Sequence, residues 1–345
     1  MTAPEFEAAI AATNLLPGPA STQLAIFCAW RARGRLGAIV GGVSFIVPGL
    51  AMILILSALF LTAHPPRWLE GAAAGAGAAV PAVAIQAAIA LMPASWRRAG
   101  QLRSPRARWL IYLVLGGAAA ATIGPYVVVV LLACGLAEVV VKRDWRREPP
   151  AATMSVGIPL LLPLGALGAI GGLAWVALKV GALSYGGGFV IIPLMQRDAV
   201  TTYHWMTGTQ FLNAVALGQV TPGPVVLTVA AVGFAAAGIG GALLASLIAF
   251  APSFVFVLVG GAHFDRLRAN ATIQNFLTGA GAAAIGAIAG SALPLGLAIT
   301  QLWQVGVLVL GLVWLVLCRR NVVFALLGAG VLGVAAALVG LPVSP

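Results

Sequence analysis

Runs of about 20 apolar residues recur along almost the whole chain, and this feature restricts the fold more than any other. Each run is long enough to cross a hydrocarbon core of roughly 30 Å as an α-helix. Hydrophobic residues make up 61% of the 345 residues and charged residues only 8%, a balance that soluble globular domains do not have. The sequence therefore predicts an all-α polytopic membrane protein whose surroundings are the lipid bilayer.

The formal net charge of +11 does not indicate a nucleic-acid-binding protein. The basic residues stand in short clusters between the apolar runs, notably at 97–108 and 142–157, as they do in cytoplasmic loops of membrane proteins. The three cysteines are scattered and have no metal-ligand spacing, so we expect no metal site and no cofactor. No nucleophile–base pair clusters in the runs, so we expect that the chain is not an enzyme.

The two halves of the chain resemble each other when Met1 is aligned with Met206. With one residue of slippage, the following positions coincide: Pro17-Gly18-Pro19 with Pro222-Gly223-Pro224, Gly34 with Gly238, Gly37 with Gly241, and Pro48 with Pro252. An internal repeat in a membrane chain is typical of transporters. We predict an N-terminal repeat at 1–141 that is shortened at its start, a basic cytoplasmic linker at 142–157, and a C-terminal repeat at 158–345.

Loop charges indicate that the two repeats are inverted. Arginines cluster at 31–35, whereas the equivalent connection at 235–241 has no charge. The basic loop at 97–108 likewise matches an uncharged one at 294–302. By the positive-inside rule, corresponding loops then lie on opposite sides of the membrane. In this topology residues 158–183 would form a span that leads outwards.

The two Pro-Gly-Pro segments should interrupt helices inside the membrane. Proline lacks the amide proton and clashes with the preceding helical turn, so two of them around a glycine stop a helix. The next helix then begins with unpaired amides, which are costly in hydrocarbon unless they line a cavity or meet a ligand. We therefore predict broken or re-entrant helices whose N-termini suit an anion. The alternative is that these segments mark only kinks or close packing.

The candidate substrate-binding residues lie at these two breaks and in the glycine-rich stretch SYGGGF at 184–189. Neutral amides and hydroxyls there can bind a tetrahedral oxyanion without placing a charge in the membrane. The first break contributes Asn14, Pro17, Gly18, Pro19, Ser21, Thr22 and Gln23. The second break contributes Asn213, Gln219, Thr221, Pro222, Gly223 and Pro224. The glycine-rich stretch contributes Tyr185, Gly186, Gly187 and Gly188.

A few titratable residues stand near the ends of the apolar runs. Lys179, Arg197 and Asp198 are expected to reach the interface or to pair locally, and the alternative is that they attract an anion. Glu138 is expected at the interface, with a role as a proton carrier as the alternative. His204 could titrate near neutral pH and take part in coupling.

The sequence resembles the chromate ion transporter family in its long, two-half form. The resemblance is carried by PGPASTQLAIFCAW…GRLGAIVGGVSFIVPG at 17–49, ALSYGGGFVIIPLMQRDAV…W…FLNAVALGQVTPGPV at 182–225 and GIGGALLASLIAFAPS at 238–253. It places the family's Pro-Gly-Pro motifs on Pro17–Pro19 and Pro222–Pro224, with Thr22 and Gln23 in the first, and the glycine motif on Gly186–Gly188.

What the resemblance implies is secondary active transport of an inorganic oxyanion. We expect efflux of chromate across a bacterial inner membrane, driven by protons or the membrane potential and conferring chromate resistance. The expected partners are chromate, sulfate as an analogue, protons as a coupling ion and a second copy of the chain in a homodimer. The alternatives are an anion channel and a transporter of another tetrahedral oxyanion such as sulfate.

Overall fold

The computed structural model describes residues 6, 13, 18–60, 66–100, 102–122, 127–142, 168–184, 191–260 and 270–343. These residues are helical almost throughout and contain no strand. The α-helices are α1 Ala20–Phe60, α2 Arg67–Ala99, α3 Arg103–Thr122, α4 Val127–Lys142, α5 Gly168–Leu183, α6 Ile191–Arg197, α7 Gly208–Val220, α8 Thr228–Gly260, α9 Ala271–Leu297, α10 Leu302–Leu312 and α11 Val322–Leu338.

Short irregular turns extend three of these helices. A 3-10 turn at Val225–Leu227 precedes α8, and π-helical turns at Asp198–Thr202 and Val313–Leu317 continue α6 and α10. Within the described residues, α1, α2, α8 with its preceding turn, and α9 are long and apolar enough to cross a membrane. The prediction of an all-α polytopic membrane protein is confirmed.

Helices α1 and α8 are each a hairpin of a short and a long limb. In α1 the chain turns at Arg33 and Gly34, where Gly34 has φ +62° and ψ −149°. In α8 it turns at Ala237 and Gly238, where Gly238 has φ +62° and ψ −153°. The limbs pack antiparallel because glycines allow close approach: Gly37 lies against the Ala29 carbonyl, and a Cβ on Gly233 would lie 2.5 Å from the Gly241 carbonyl oxygen.

The two hairpins have the same backbone geometry at repeat-equivalent positions but point in opposite directions. Ala38, just after the turn of α1, forms one apolar cluster with Ile26 and with Val257 near the end of α8. The turn of α8 therefore lies at the other end of the long limb 239–260, about 32 Å away at 1.5 Å per residue. This arrangement is the inverted repeat that the loop charges predicted.

Basic residues concentrate on the face of the molecule where α1 turns. This basic face also receives the end of α2, the start of α3, the end of α4 and the connection between α10 and α11. It carries Arg31, Arg33, Arg35, Arg97, Arg98, Arg103, Arg106, Arg108, Lys142, Arg319 and Arg320. The opposite face receives the turn of α8 and the start of α7, where Gly208 lies close to Ala298 at the end of α9.

The Gly/Ala-rich helices α2 and α9 exchange partners between the two repeats. Helix α2 packs against α10 and α11 of the second repeat, and α9 packs against α3 and α4 of the first. Glycines bring the backbones together, with Gly333 of α11 against Gly71 of α2 and Gly116 of α3 against Ala283 of α9. The two repeats are therefore interlocked through a scaffold that consists of α2, α3, α4, α9, α10 and α11.

Helices α5 and α6 form a further hairpin that enters from the face opposite the basic face. A Cβ on Gly172 near the start of α5 would lie 2.7 Å from the Tyr203 ring just after α6, and Lys179 forms an ion pair with Asp198. The expectation that 158–183 forms an outward span is wrong for its described part, because α5 starts at this face and runs inwards. The boundaries at 141 and 157 stay a prediction, and 143–157 lies outside the described residues.

Candidate anion-binding site

Gly18 and Pro19 of the first Pro-Gly-Pro segment, and the whole of the second, lie at the inner ends of short helical limbs. The limb 20–33 of α1 is about 20 Å long, and the limb 225–237 at the start of α8 has about the same length. The arginines at the turn of α1 mark one membrane surface, and the hydrocarbon core is roughly 30 Å thick. Each limb therefore begins well inside the membrane, which agrees with the predicted breaks.

The first break is bordered by residues of the second repeat. Gly18 has φ +120° and donates its backbone N–H to the Ser184 carbonyl at 2.6 Å. A Cβ on Gly18 would lie 3.3 Å from Ser253 Oγ, and it would collide with the Gln23 side-chain amide. Ser184 directly follows α5 and is the first residue of the glycine-rich stretch, so the first break, the end of α5 and the long limb of α8 meet here.

The second break is bordered by the equivalent part of the first repeat. Helix α7 ends at Val220 with Thr221 as its C-cap, and Gly223 has φ +133°. A Cβ on Gly49 in the long limb of α1 would lie 2.6 Å from the Pro222 carbonyl oxygen. Gly49 follows Pro48 as Ser253 follows Pro252, so each break contacts the same position of the opposite repeat. Because the two long limbs pack on each other, both breaks flank one helix pair.

The chain turns back on itself at the second break. A Cβ on Gly218 near the end of α7 would lie 3.0 Å from Thr228 Cβ at the start of α8. The end of one helix and the start of the next are therefore side by side rather than in line. The segment enters from the face opposite the basic face, reaches the membrane interior at Thr221 and returns to that face at Ala237, so it is a re-entrant hairpin.

A new helix begins at each break. Its first backbone amides have no carbonyl group one turn earlier to which they could donate a hydrogen bond. At the first break the Pro19 carbonyl accepts from Gln23 N, which leaves the amides of Ala20 to Thr22 ahead of the helical pattern. At the second break the Pro224 carbonyl accepts from Leu227 N, and no side chain caps the turn. Free N–H groups and the positive end of the helix dipole together favour an anion.

Several buried polar atoms on the helices that border these breaks have no hydrogen-bond partner among the described residues. They are Thr22 Oγ1, Ser57 Oγ, Ser184 Oγ, Ser253 Oγ, Asn213 Oδ1 and Gln219 Nε2. The side chains of Thr22, Ser57, Ser184 and Ser253 have no exposed surface at all. A buried polar group without a partner costs about 1–3 kcal/mol, so such a group calls for a specific explanation. A bound oxyanion that accepts from the hydroxyls supplies one.

The structure groups some of the predicted site residues and leaves others undescribed. Asn14, Pro17, Tyr185, Gly186, Gly187 and Gly188 lie outside the described residues. Gly18, Pro19, Thr22 and Gln23 are buried together, whereas Ser21, Pro222 and Gly223 are exposed. Asn213 and Gln219 lie half-buried on α7, and Pro224 is buried before the new helix. The Thr221 hydroxyl donates to the Leu217 carbonyl at 2.7 Å, so its proton is already used.

Sequence reasoning did not select Ser253 or Ser184 as site residues. Ser253 follows Pro252 in the second repeat, and Gly49 follows Pro48 at the equivalent place in the first. The alignment of the repeats shows that these positions correspond, but it does not show that either one faces a break. Ser184 stood inside the quoted glycine-rich stretch. Only the folded chain shows that its carbonyl accepts from Gly18 of the other repeat.

The titratable residues near the run ends have mainly structural partners. Glu138, expected at the interface, binds two residues of the basic face, Arg108 at 2.9 Å and Lys142 at 3.2 Å, and the Tyr112 hydroxyl at 3.2 Å, and it is only 2% exposed. Lys179 and Asp198, each expected to reach the interface or to pair locally, form a buried ion pair with each other. His204 is exposed in the turn before α7, about 20 Å of helix away from the second break.

The chain matches one known protein family over most of its length. The family model described as chromate transporter matches residues 1–139 and 171–334. No solved structure matches the chain.

Curated proteins with similar sequences carry the same description. A chromate transport protein of Cupriavidus metallidurans is 32% identical over 86% of this chain and 73% of its own length. A probable chromate transport protein of Synechococcus elongatus is 28% identical over 85% of this chain and 74% of its own length. A chromate transport protein of Pseudomonas aeruginosa is 30% identical over 84% of this chain and 71% of its own length.

Proposed function

The chain belongs to the chromate transporter family, and from this premise we propose that it exports chromate across a bacterial inner membrane and confers chromate resistance. Membership of a family of transporters also confirms that the chain is not an enzyme. The observation that supports a site for a tetrahedral dianion is a pair of helix N-termini that flank one helix pair in the membrane interior, with the unpartnered hydroxyls of Thr22 and Ser253 buried at the first. Sulfate has the same shape and charge and is the analogue that the site would bind.

The site uses neutral donors for a doubly charged ligand. The proposed donors are the backbone amides in the first turns of α1 and α8 and the hydroxyls of Thr22 and Ser253. They would hold an oxyanion by charge-assisted hydrogen bonds. A cation at the site would bind the dianion more tightly but would also slow its release. Neutral donors are therefore suited to a transporter, which has to release its substrate on the other side.

The membrane potential favours export of a dianion. The positive-inside rule places the basic face in the cytoplasm. Moving one elementary charge through 100 mV changes the free energy by about 2.3 kcal/mol. The free energy of a dianion therefore falls by about 4.6 kcal/mol when it leaves a negative interior. The potential alone is thus a sufficient driving force, and protons are the alternative coupling ion.

The packing suggests which parts move during transport. The scaffold joins helices of both repeats through glycine contacts, so the two sequence halves cannot rock against each other as rigid bodies. The breaks belong instead to α1, α5, α6, α7 and α8, which we name the hairpin body. We propose that the hairpin body moves against the scaffold and opens the site alternately to the two faces.

Uptake of labelled chromate into inside-out vesicles tests the proposal. We expect saturable uptake that sulfate inhibits more strongly than phosphate, and its loss in Thr22→Val. Thr228→Val is the matched control, because that buried hydroxyl already donates to the Val225 carbonyl at 2.8 Å. Flux that follows the potential without saturation would show a channel, and saturable uptake of sulfate but not chromate would show a different oxyanion transporter. Equal loss in both variants would move the site elsewhere.

A further inference from the structure

A cavity with a mixed polar and apolar lining lies at the seam between the scaffold and the hairpin body. Its volume is about 350 Å³, within the usual range for ligand pockets. The scaffold contributes Thr122 at the end of α3 and Pro294 near the end of α9. The hairpin body contributes Gln196, Arg197 and Thr201. The cavity opens at the face opposite the basic face, beside the start of α7.

The positive charge in this cavity is not neutralised by the nearest carboxylate. Asp198 follows Arg197 in the chain but turns away and forms a buried ion pair with Lys179. Arg197 itself donates only one hydrogen bond among the described residues, from Nη1 to the Thr122 carbonyl at 3.4 Å. An arginine has five N–H donors, so most of them remain available to a ligand in the cavity.

The surrounding groups match the chemistry of a phosphate-type oxyanion. A guanidinium binds phosphate oxygens in a two-pronged manner, and the Gln196 amide and Thr201 hydroxyl add neutral donors. No carboxylate lines the cavity among the described residues. This site is separate from the breaks, which hold neutral donors and lie deep in the membrane, whereas Arg197 lies at the membrane surface.

We propose that this cavity binds a phosphate-type oxyanion between the scaffold and the hairpin body. Two sources share this chemistry: the phosphodiester of a lipid headgroup and a free tetrahedral oxyanion on the outer side. Because the ligand would contact both bodies, its binding would bias their relative position and so affect transport from a second site.

Thermal unfolding of the purified full chain in an uncharged detergent tests the proposal without any transport assay. One arm titrates inorganic phosphate, and the other titrates short-chain phosphatidylglycerol against the matching phosphate-free diacylglycerol. A ligand that binds the folded state raises the unfolding temperature as its concentration grows. Arg197→Gln is the test variant, and Arg67→Gln on the same face is the control, because Arg67 is exposed at the start of α2.

We expect the concentration for half-maximal stabilisation to rise about 10- to 100-fold in Arg197→Gln and to stay unchanged in Arg67→Gln. A response to phosphate alone assigns the site to a free oxyanion, and a response to phosphatidylglycerol alone assigns it to a lipid. If Arg197→Gln does not fold, Arg197→Lys keeps the charge but loses the two-pronged geometry and should respond weakly. Equal responses of the wild type and the folded Arg197 variant would overturn the proposal, whatever the outcome for chromate uptake.

Discussion

Removing the Ser253 hydroxyl should stabilise the protein and at the same time impair transport. Ser253 is fully buried in the long limb of α8, beside Gly18, and Oγ has no hydrogen-bond partner among the described residues. Burying a hydroxyl without a partner costs about 1–3 kcal/mol. Ser253→Ala removes that cost and leaves a void of only one oxygen atom, so we expect the free energy of unfolding to rise by about 1 kcal/mol.

The matched control is Ser246→Ala on the same limb. Ser246 is also buried, but its hydroxyl already donates to the Ala242 carbonyl at 2.8 Å. That carbonyl keeps its helical N–H partner when the hydroxyl is removed, so stability should change by less than about 0.5 kcal/mol. Transport should stay at the wild-type level because Ser246 contacts neither break.

Two measurements on the same preparations decide the outcome. Unfolding followed by tryptophan fluorescence gives the free energy, and vesicle uptake of labelled chromate gives the transport rate. We expect Ser253→Ala to unfold later and to lose uptake about tenfold or more, since one charge-assisted hydrogen bond contributes about 1.5–3 kcal/mol. Loss of stability in Ser253→Ala with normal uptake would refute the reasoning, because it would show that the hydroxyl has a structural partner instead of a substrate.

Three further predictions test the fold. Lys179→Met should destabilise the protein by about 3–5 kcal/mol because it leaves Asp198 buried and unpaired, and adding Asp198→Asn should recover most of this loss in chemical unfolding. Equal stability of the single and double variants would contradict a buried pair. Gly333→Ala should destabilise the scaffold because a Cβ there would collide with the Gly71 carbonyl. Gly328 has open space around it, so Gly328→Ala should stabilise helix α11 by about 0.5–1 kcal/mol. Thermal unfolding of the two variants compares these effects. Cys318, which is exposed beside the basic Arg319, should react with a membrane-impermeant maleimide only in inside-out vesicles. Labelling in intact cells would show that the protein has the opposite orientation in the membrane.

The repeat and its inversion could be predicted because both leave a direct trace in the order of residues along the chain. Glycine and proline positions recur between the halves wherever the backbone needs a turn or a break, as at Gly34 and Gly238. Charge in the loops records orientation because lysine and arginine stay in the cytoplasm during insertion. The predicted breaks follow from proline chemistry alone.

The exchange of partners between repeats could not be predicted from the sequence. A Gly/Ala-rich helix indicates close helix packing but does not identify the neighbouring helix. Gly71, for example, contacts Gly333, which is far away in the sequence. The hairpin of α5 and α6 was missed for a related reason. A run of apolar residues has the same composition whether it crosses the membrane or enters and returns, and only contacts such as that between Gly172 and Tyr203 distinguish the two cases.

The site could be predicted only as far as local chemistry reaches. The Pro-Gly-Pro segments and Thr22 stood out because breaks and hydroxyls coincide in the sequence. Ser253 and Ser184 belong to the same place through the fold, and hydroxyl residues in apolar runs usually bond their own helix, as Ser246 does. Whether such a hydroxyl is satisfied is decided by tertiary packing.

The central claim is that an oxyanion binds at the two breaks in the membrane interior. Chromium scatters X-rays anomalously at its absorption edge, so crystals of the protein grown with chromate report the position of the ion directly. We predict an anomalous peak within hydrogen-bond reach of the first turns of α1 and α8, close to Ser253. A peak only at a membrane surface, or none near Gly18 and Gly223 under conditions in which chromate is transported, would contradict it.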